Sequence, residues 1–184
     1  MNLYFSFIVV FGLIVFAVGP NGGHASENTK TPYIGQETRQ IKSLSAKDVD
    51  DLLNGRGWGL AKAAELNGMP GPAHILEFAD KINLKDSQKN EIEVLFTQMK
   101  TKAIKLGTQM VQAERELDQM FANKSITRET LRTQLDKIAM VRSRLRQVHL
   151  ETHLQTPKIL SRHQIGTYNQ LRGYGNNSGH SGHH

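Results

Sequence analysis

Residues 149 to 153 read His-Leu-Glu-Thr-His, two imidazoles four positions apart with a carboxylate between them. A zinc hydrolase uses nearly the same letters as His-Glu-x-x-His, with the glutamate beside the first histidine acting as base. On a helix that neighbour lies about 100° round from the first histidine, whereas Glu151, two residues on, lies about 200° away. Glu151 cannot serve a metal held by His149 and His153, so a protease reading fails. The two histidines do share a face, as positions i and i+4 do. Such a pair can hold Zn, Cu, Ni or Co, but two ligands are too few for a tight site. A second reading stands beside it. With Leu145 as the centre of the apolar stripe, His149 lies about 40° off it and His153 about 80° off, which lets both edge the core with a hydrogen bond each.

Further histidines close the chain. The tail GYGNNSGHSGHH carries His180, His183 and His184, a composition that binds borderline divalent ions loosely and builds no core. It also fits a cloning remnant, although it holds no run of six. His163 sits inside a helix-cap sequence and reads as exposed and idle. There is no cysteine, hence no disulfide, thiolate metal site or cysteine nucleophile. No Ser-His-Asp set or phosphate loop is visible. We expect a non-enzyme that requires no cofactor.

The elements that must position the histidines are helices. Met99, Ala103, Leu106, Met110, Ala113, Leu117 and Met120 follow one another by steps of four and three, a seam on one long helix. A turn at residues 122–127 follows, with Thr127 as the next cap. The second helix carries Leu131, Leu135, Ile138, Val141, Leu145 and Val148, and Thr156-Pro157 should stop or kink it near Gln155. Two such helices joined by a short turn make an antiparallel hairpin. Before it, Ser45 caps a helix carrying Val49, Leu52 and Leu53. Gly-Arg-Gly-Trp-Gly at 55–59 breaks that helix. Short helices at about 60–66 and 73–82 follow, separated by Pro70-Gly71-Pro72. After the hairpin, Ser161 caps a last helix ending at Gly173. No period-two strand pattern appears. The fold class is all-α: a long antiparallel hairpin with short flanking helices. A lone hairpin leaves apolar surface bare, so a hairpin-packed homodimer is expected.

The chain has 184 residues, with 23 Lys and Arg against 17 Asp and Glu for a formal +6. Residues 3–18 are almost wholly apolar, the length of a secretory signal core and short of the roughly 20 residues of a bilayer span. Cleavage after Ala25 would leave residues 1–25 as signal peptide; an uncleaved membrane anchor is the other reading. Either way the remainder lies outside the cytoplasm, which excludes nucleic acid as the partner of the basic surface. Residues 26–44 read as a flexible lead-in, 45–172 as the helical domain and 173–184 as a disordered tail. Trp58, between glycines, reads as a core plug.

Leu84-Lys85-Asp86-Ser87-Gln88 before the hairpin and Leu160-Ser161-Arg162-His163-Gln164 after it resemble the paired Leu-Thr-x-x-Gln motifs of the Spy/CpxP family of periplasmic proteins. Heavy-metal sensors and zinc-binding members of the CnrX and ZraP kind belong to that family. The second copy matches with Ser for Thr. In the first, Lys85 replaces Thr, so capping is expected to fall to Asp86. The segment 52–77 is also similar to heavy-metal-associated members, and the resemblance covers about 45–172.

It implies a hairpin dimer in the periplasm that handles envelope stress or metals. The chaperone members imply ATP-independent binding of unfolded or misfolded envelope proteins on a basic, partly apolar face. Here that face would use Arg128, Arg132, Arg142 and Arg146 with Met99 and Met110, while Lys137 and Arg144 lie on the other flank. A solvated helix of mixed charge is the plainer reading. The sensor members imply ligand zones before the first motif and on the second hairpin helix. His149 and His153 match the second zone; His74 and Glu77 fall in the first, where Phe78 stands in place of a partner histidine. That branch leaves room for a sensor-kinase or regulator as partner.

Overall fold

Ser45 opens the first helix as the sequence suggests. Its hydroxyl accepts from the Asp48 amide at 3.1 Å, and the Asp48 carboxylate accepts from the Ser45 amide at 2.9 Å, so two donors at the helix start are satisfied reciprocally. The computed structural model describes residues 31–174, and among these there are six helices and no strand. They are α1 (Ala46–Leu53), α2 (Lys62–Glu65), α3 (Pro72–Glu77), α4 (Asp86–Ala122), α5 (Arg128–Ile159) and α6 (Arg162–Leu171). The chain divides into two units, one ending at Ile34 and one beginning at Gly35; everything below concerns the second. The apolar stretch 3–18, with its signal and anchor readings, lies outside the described residues. Among the described ones no helix is long and apolar enough to cross a membrane.

The long helices α4 and α5 pack along one another. Near the turn between them, Gln134 Nε2 donates to the Ala113 carbonyl at 2.7 Å; at the far end Gln88 Nε2 donates to the Ile159 carbonyl at 2.7 Å. The pair is therefore hairpin-like. Met99, Ala103, Met110 and Ala113 of the seam are buried against Ile138 and Leu145. Thr127 caps α5 through a reciprocal pair with Thr130.

α1 lies across α4 at Gly107. A Cβ on Gly107 would fall 2.0 Å from the Leu52 carbonyl oxygen, so only glycine admits this approach. Leu52 itself is buried in the first core, with Ile41, Leu44 and Leu60. A second core lies at the other end of the long helix pair, where Ile75, Ile82, Ile92, Leu160 and Tyr168 bring α3, α4 and α6 together.

Three expectations need correction. The lead-in is not flexible throughout: Ile41 and Leu44 are 1% and 5% exposed. Between them the Lys42 amide donates to Asp118 and the Ser43 hydroxyl to Glu114, at 3.1 and 2.8 Å. Two apolar residues three apart were enough to fold residues 41–44 onto α4. Next, α5 does not stop near Gln155 but runs through Pro157 to Ile159. Proline there removes one amide donor, while Thr152 and Thr156 bond back to the carbonyls of Val148 and Thr152. Thr156 is fully buried and Leu160 nearly so, so packing carries the helix past the proline. Finally, the two short helices are shorter than expected: one turn for α2, and for α3 the six residues Pro72–Glu77, capped by Phe78. Residues 79–83 continue as turns that finish at Asn83, whose φ is +50°.

Candidate functional site

The two glutamine motifs meet. Gln88 Nε2 donates to Gln164 Oε1 at 3.0 Å, and Gln164 Nε2 donates to Gln88 Oε1 at 2.9 Å. Each amide also closes its own helix start: Gln88 Oε1 accepts from the Lys85 amide and Gln164 Oε1 from the Ser161 amide. Gln164 further donates to the Asn83 carbonyl. The Ser161 hydroxyl completes its box by accepting from the Gln164 amide at 3.2 Å. The first motif lacks that half, because Lys85 is the residue at the cap and carries no acceptor. Asp86, expected to take over, is instead the first residue of α4. Leu84 and Leu160 pack in the second core beneath this clasp.

Beside the clasp, α5 brings His149 and His153 to one cavity of about 670 Å³. His149 is 4% exposed and its Nε2 is buried with no partner. Burial, and to a smaller extent the nearby His153, holds its pKa down at about 4, so the ring is neutral at pH 7. His153 Nδ1 lies 2.7 Å from the Met69 carbonyl and 3.8 Å from Glu65 Oε2. Its ring fits against Gly71, where a Cβ would come 2.5 Å from Nε2. Thus the second reading of the pair describes His153 well, whereas His149 edges the core without the hydrogen bond expected of it. Glu151 points to solvent and accepts from Gln147.

His74 lines the same cavity, but its Nδ1 is engaged at 3.1 Å by Glu77, which is exposed and outside the cavity wall. The carboxylate that approaches His153 is one the sequence did not single out, Glu65 on α2. Its Oε1 accepts from the Tyr168 hydroxyl and lies 3.5 Å from Arg172 Nε. Burial, with Glu65 second, pushes the Tyr168 phenol up, well beyond its ordinary range. Tyr168 and Glu65 are 103 positions apart, and no local pattern announces such a contact. Among the described residues no three His, Asp or Glu side chains stand together in a metal-ready cluster. His180, His183 and His184 lie outside the described residues.

Arg128, Arg132, Arg142 and Arg146 are all exposed on α5. Between them on the same flank, Leu135 is 47% exposed. The Arg142 guanidinium sits 4.8 Å over the Trp58 ring, a cation–π arrangement. Met99 and Met110, assigned to the same face from the sequence, belong elsewhere: they are 9% and 1% exposed, inside the first core. Both stand on the apolar seam that faces α5 and α1, so burial takes them out of any surface role. Met140, at 54%, is the exposed methionine of α5. Trp58 does pack against the first core as a plug, yet it also forms a wall of the cavity. No family profile, curated protein or solved structure matches this chain.

Proposed function

We propose that the protein is a non-enzymatic, ATP-independent binding protein for unfolded, acidic and partly apolar chain segments, of the Spy/CpxP type, exported to the periplasm and acting as a homodimer. The observation that carries this reading is the α5 flank. Arg128, Arg132, Arg142 and Arg146 fall within about 80° of arc over about 27 Å of helix. All four are solvent-exposed, and Leu135 lies among them. Long cationic side chains around an apolar residue attract acidic extended chains and let the apolar parts settle. The Gln88–Gln164 clasp supports the family reading, because it makes the two Leu-x-x-x-Gln motifs one structural unit. Exposed Val94 and Leu154, at the motif end of the long pair, supply apolar surface for a second copy.

The test is dilution of a chemically unfolded acidic client into buffer with chelator, with and without a several-fold excess of the protein. Light scattering should fall to near baseline. Arg128→Glu with Arg132→Glu and Arg146→Glu should abolish most of that protection, and raised salt should weaken it. Unchanged scattering with the unaltered protein, for several clients, would remove the reading.

One observation favours a second reading, a metal-binding sensor or buffer for Zn, Cu, Ni or Co. His149 is neutral at pH 7 with an unpartnered Nε2, one turn from His153, whose Nδ1 lies 3.8 Å from Glu65 Oε2. A neutral imidazole is the form that ligates. Binding would require His153 and Glu65 to leave their present partners. A metal-dependent rise in melting temperature that disappears in His149→Ala plus His153→Ala supports it; equal melting with and without each metal sinks it.

A further inference from the structure

The cavity beside α5 has features the client-binding flank does not use. Its volume, about 670 Å³, falls among pockets that hold small organic molecules. Trp58, Phe96, Leu66 and Met99 give it apolar walls. Trp58 holds a backbone φ of +42°, a conformation that costs a bulky residue energy and persists only where its surroundings over-determine it. Here the surroundings are specific: its Nε1 donates to Asp48 at 2.9 Å, and Arg142 covers one face of the ring. The wall is therefore fixed in advance of any ligand.

The charges around the cavity are unequal. Arg56, Lys62, Lys100 and Arg172 line it against a single carboxylate, Glu65. Arg56 is taken by Asp50 and Asp51, and Arg172 lies against Glu65. Among the described residues Lys62 and Lys100 have no acidic partner; Lys100 Nζ rests 5.9 Å from the centre of the Phe96 ring. A buried polar group without a partner is uncommon and costly. Among the described residues this cavity's lining has three: Nε2 of the 4% exposed His149, Arg172 Nε, and Glu65 Oε2, which lies 3.8 Å from His153 Nδ1. In the tautomer that carries its proton on Nε2, a neutral imidazole is a donor awaiting an acceptor.

From the surplus of cations around a preformed apolar pocket, with an unpaired donor in its lining, we infer that this cavity binds a small apolar carboxylate. The apolar body lies against Trp58, Phe96 and Met99, and Lys62 and Lys100 select the negative charge. This goes beyond client binding and does not depend on it, since Lys62 and Lys100 lie outside the α5 arginine flank, which meets the cavity wall where Arg142 covers Trp58. Both lysines are solvent-exposed at the cavity, so a neutral ligand of the same shape gains no attraction from them, and a cationic one is repelled.

The chain has a single tryptophan, and it stands in the cavity wall, so its fluorescence reads occupancy directly. We expect decanoate, titrated into the full protein below its micelle concentration, to give a saturable change at one site. Decanol should bind at least ten-fold more weakly and decyltrimethylammonium not at all. Lys62→Ala with Lys100→Ala should weaken decanoate ten-fold or more and leave decanol unchanged. Gly57 lines the cavity, has an ordinary φ and has nothing within 4 Å of an added Cβ. Gly57→Leu should therefore fill the space and abolish the response. Arg128→Glu with Arg132→Glu should leave it intact, which separates this site from the flank. The proposal is overturned if decanoate gives no saturable change, if decanol binds as well as decanoate, or if the double lysine variant binds decanoate normally. Unchanged decanoate binding by folded Gly57→Leu would place the ligand elsewhere and overturn it too; should that variant not fold, the lysine pair alone decides.

Discussion

Around Ala103 and Met110 the long helices meet through methyl groups and a thioether, with the buried Gln134 amide on the Ala113 carbonyl just beyond; toward Gln164 they meet through amides, hydroxyls and imidazoles. The first region buries Met99, Ala103, Met110, Val111 and Ala113 against Ile138 and Leu145. The second buries Gln164, Thr152, Thr156 and His149 within 10% exposure and lays Glu65, Tyr168 and Arg172 alongside. A dry seam is insensitive to pH and intolerant of volume. A polar base is held by partners that must all be present, and it answers to protons. The same pair of helices thus carries a rigid half and a responsive half.

The sharpest way to break the dry half is Gly107→Ala. One methyl group would meet the Leu52 backbone at 2.0 Å, and backbone cannot swing aside as a side chain does. We expect a loss of about 3 kcal/mol or more, the upper end for overpacking, with α1 lifted from α4. Gly166→Ala is the control. Gly166 also lies inside a helix, but nothing stands within 4 Å of its added Cβ, so the gain in helix propensity, about 0.5–1 kcal/mol, should appear as stabilisation. Urea denaturation of both variants checks the pair. Equal effects of the two substitutions would mean that α1 does not dock as closely as described.

The two halves also differ in how far the sequence reveals them. The seam is local: steps of four and three between Met99 and Met120 announce both the long helix and its buried face. The caps at Ser45, Thr127 and Ser161 are local as well, because the partners lie three residues away. What local pattern missed has long-range causes. Pro157 should have ended α5, and packing of Thr156 and Leu160 overrode it. Ile41 and Leu44 had no period to betray them, yet a short apolar pair found the first core. Met99 and Met110 were legible as seam residues and were also assigned to the surface; only the burial of that seam decides between the two. At the candidate site, His149 and His153 stood out by their spacing. Glu65 did not, because its partners Tyr168, Arg172 and His153 come from two later helices. A carboxylate on a one-turn helix looks like any surface glutamate until the chain closes.

The polar base is tested by acid. The His149 pKa is about 4 in the folded protein, against 6.5 for the free side chain. Between those values the unfolded chain binds more protons than the folded one, so stability must fall as pH falls. The loss begins near pH 6.5, reaches about 2 kcal/mol at pH 5 and levels off below pH 4 at about 3 kcal/mol, at 1.36 kcal/mol per pKa unit. Carboxylates act in a different window. Asp48, held low first by the Ser45 hydroxyl and then by Trp58 Nε1, contributes stability that is present above about 3.8 and is lost only below it. Comparing denaturation at pH 7 and pH 5 therefore keeps the His149 window apart from that of Asp48. His149→Leu should flatten the curve between these values while leaving the acid limb below pH 4 in place, because leucine keeps the packing and brings no proton. A wild-type protein equally stable at pH 7 and pH 5 would mean that His149 reaches water or a partner, and the contrast between a dry seam and a proton-sensitive base would lose its main support. A drop of the expected size that survives in the leucine variant would mean that a group other than His149 carries the sensitivity.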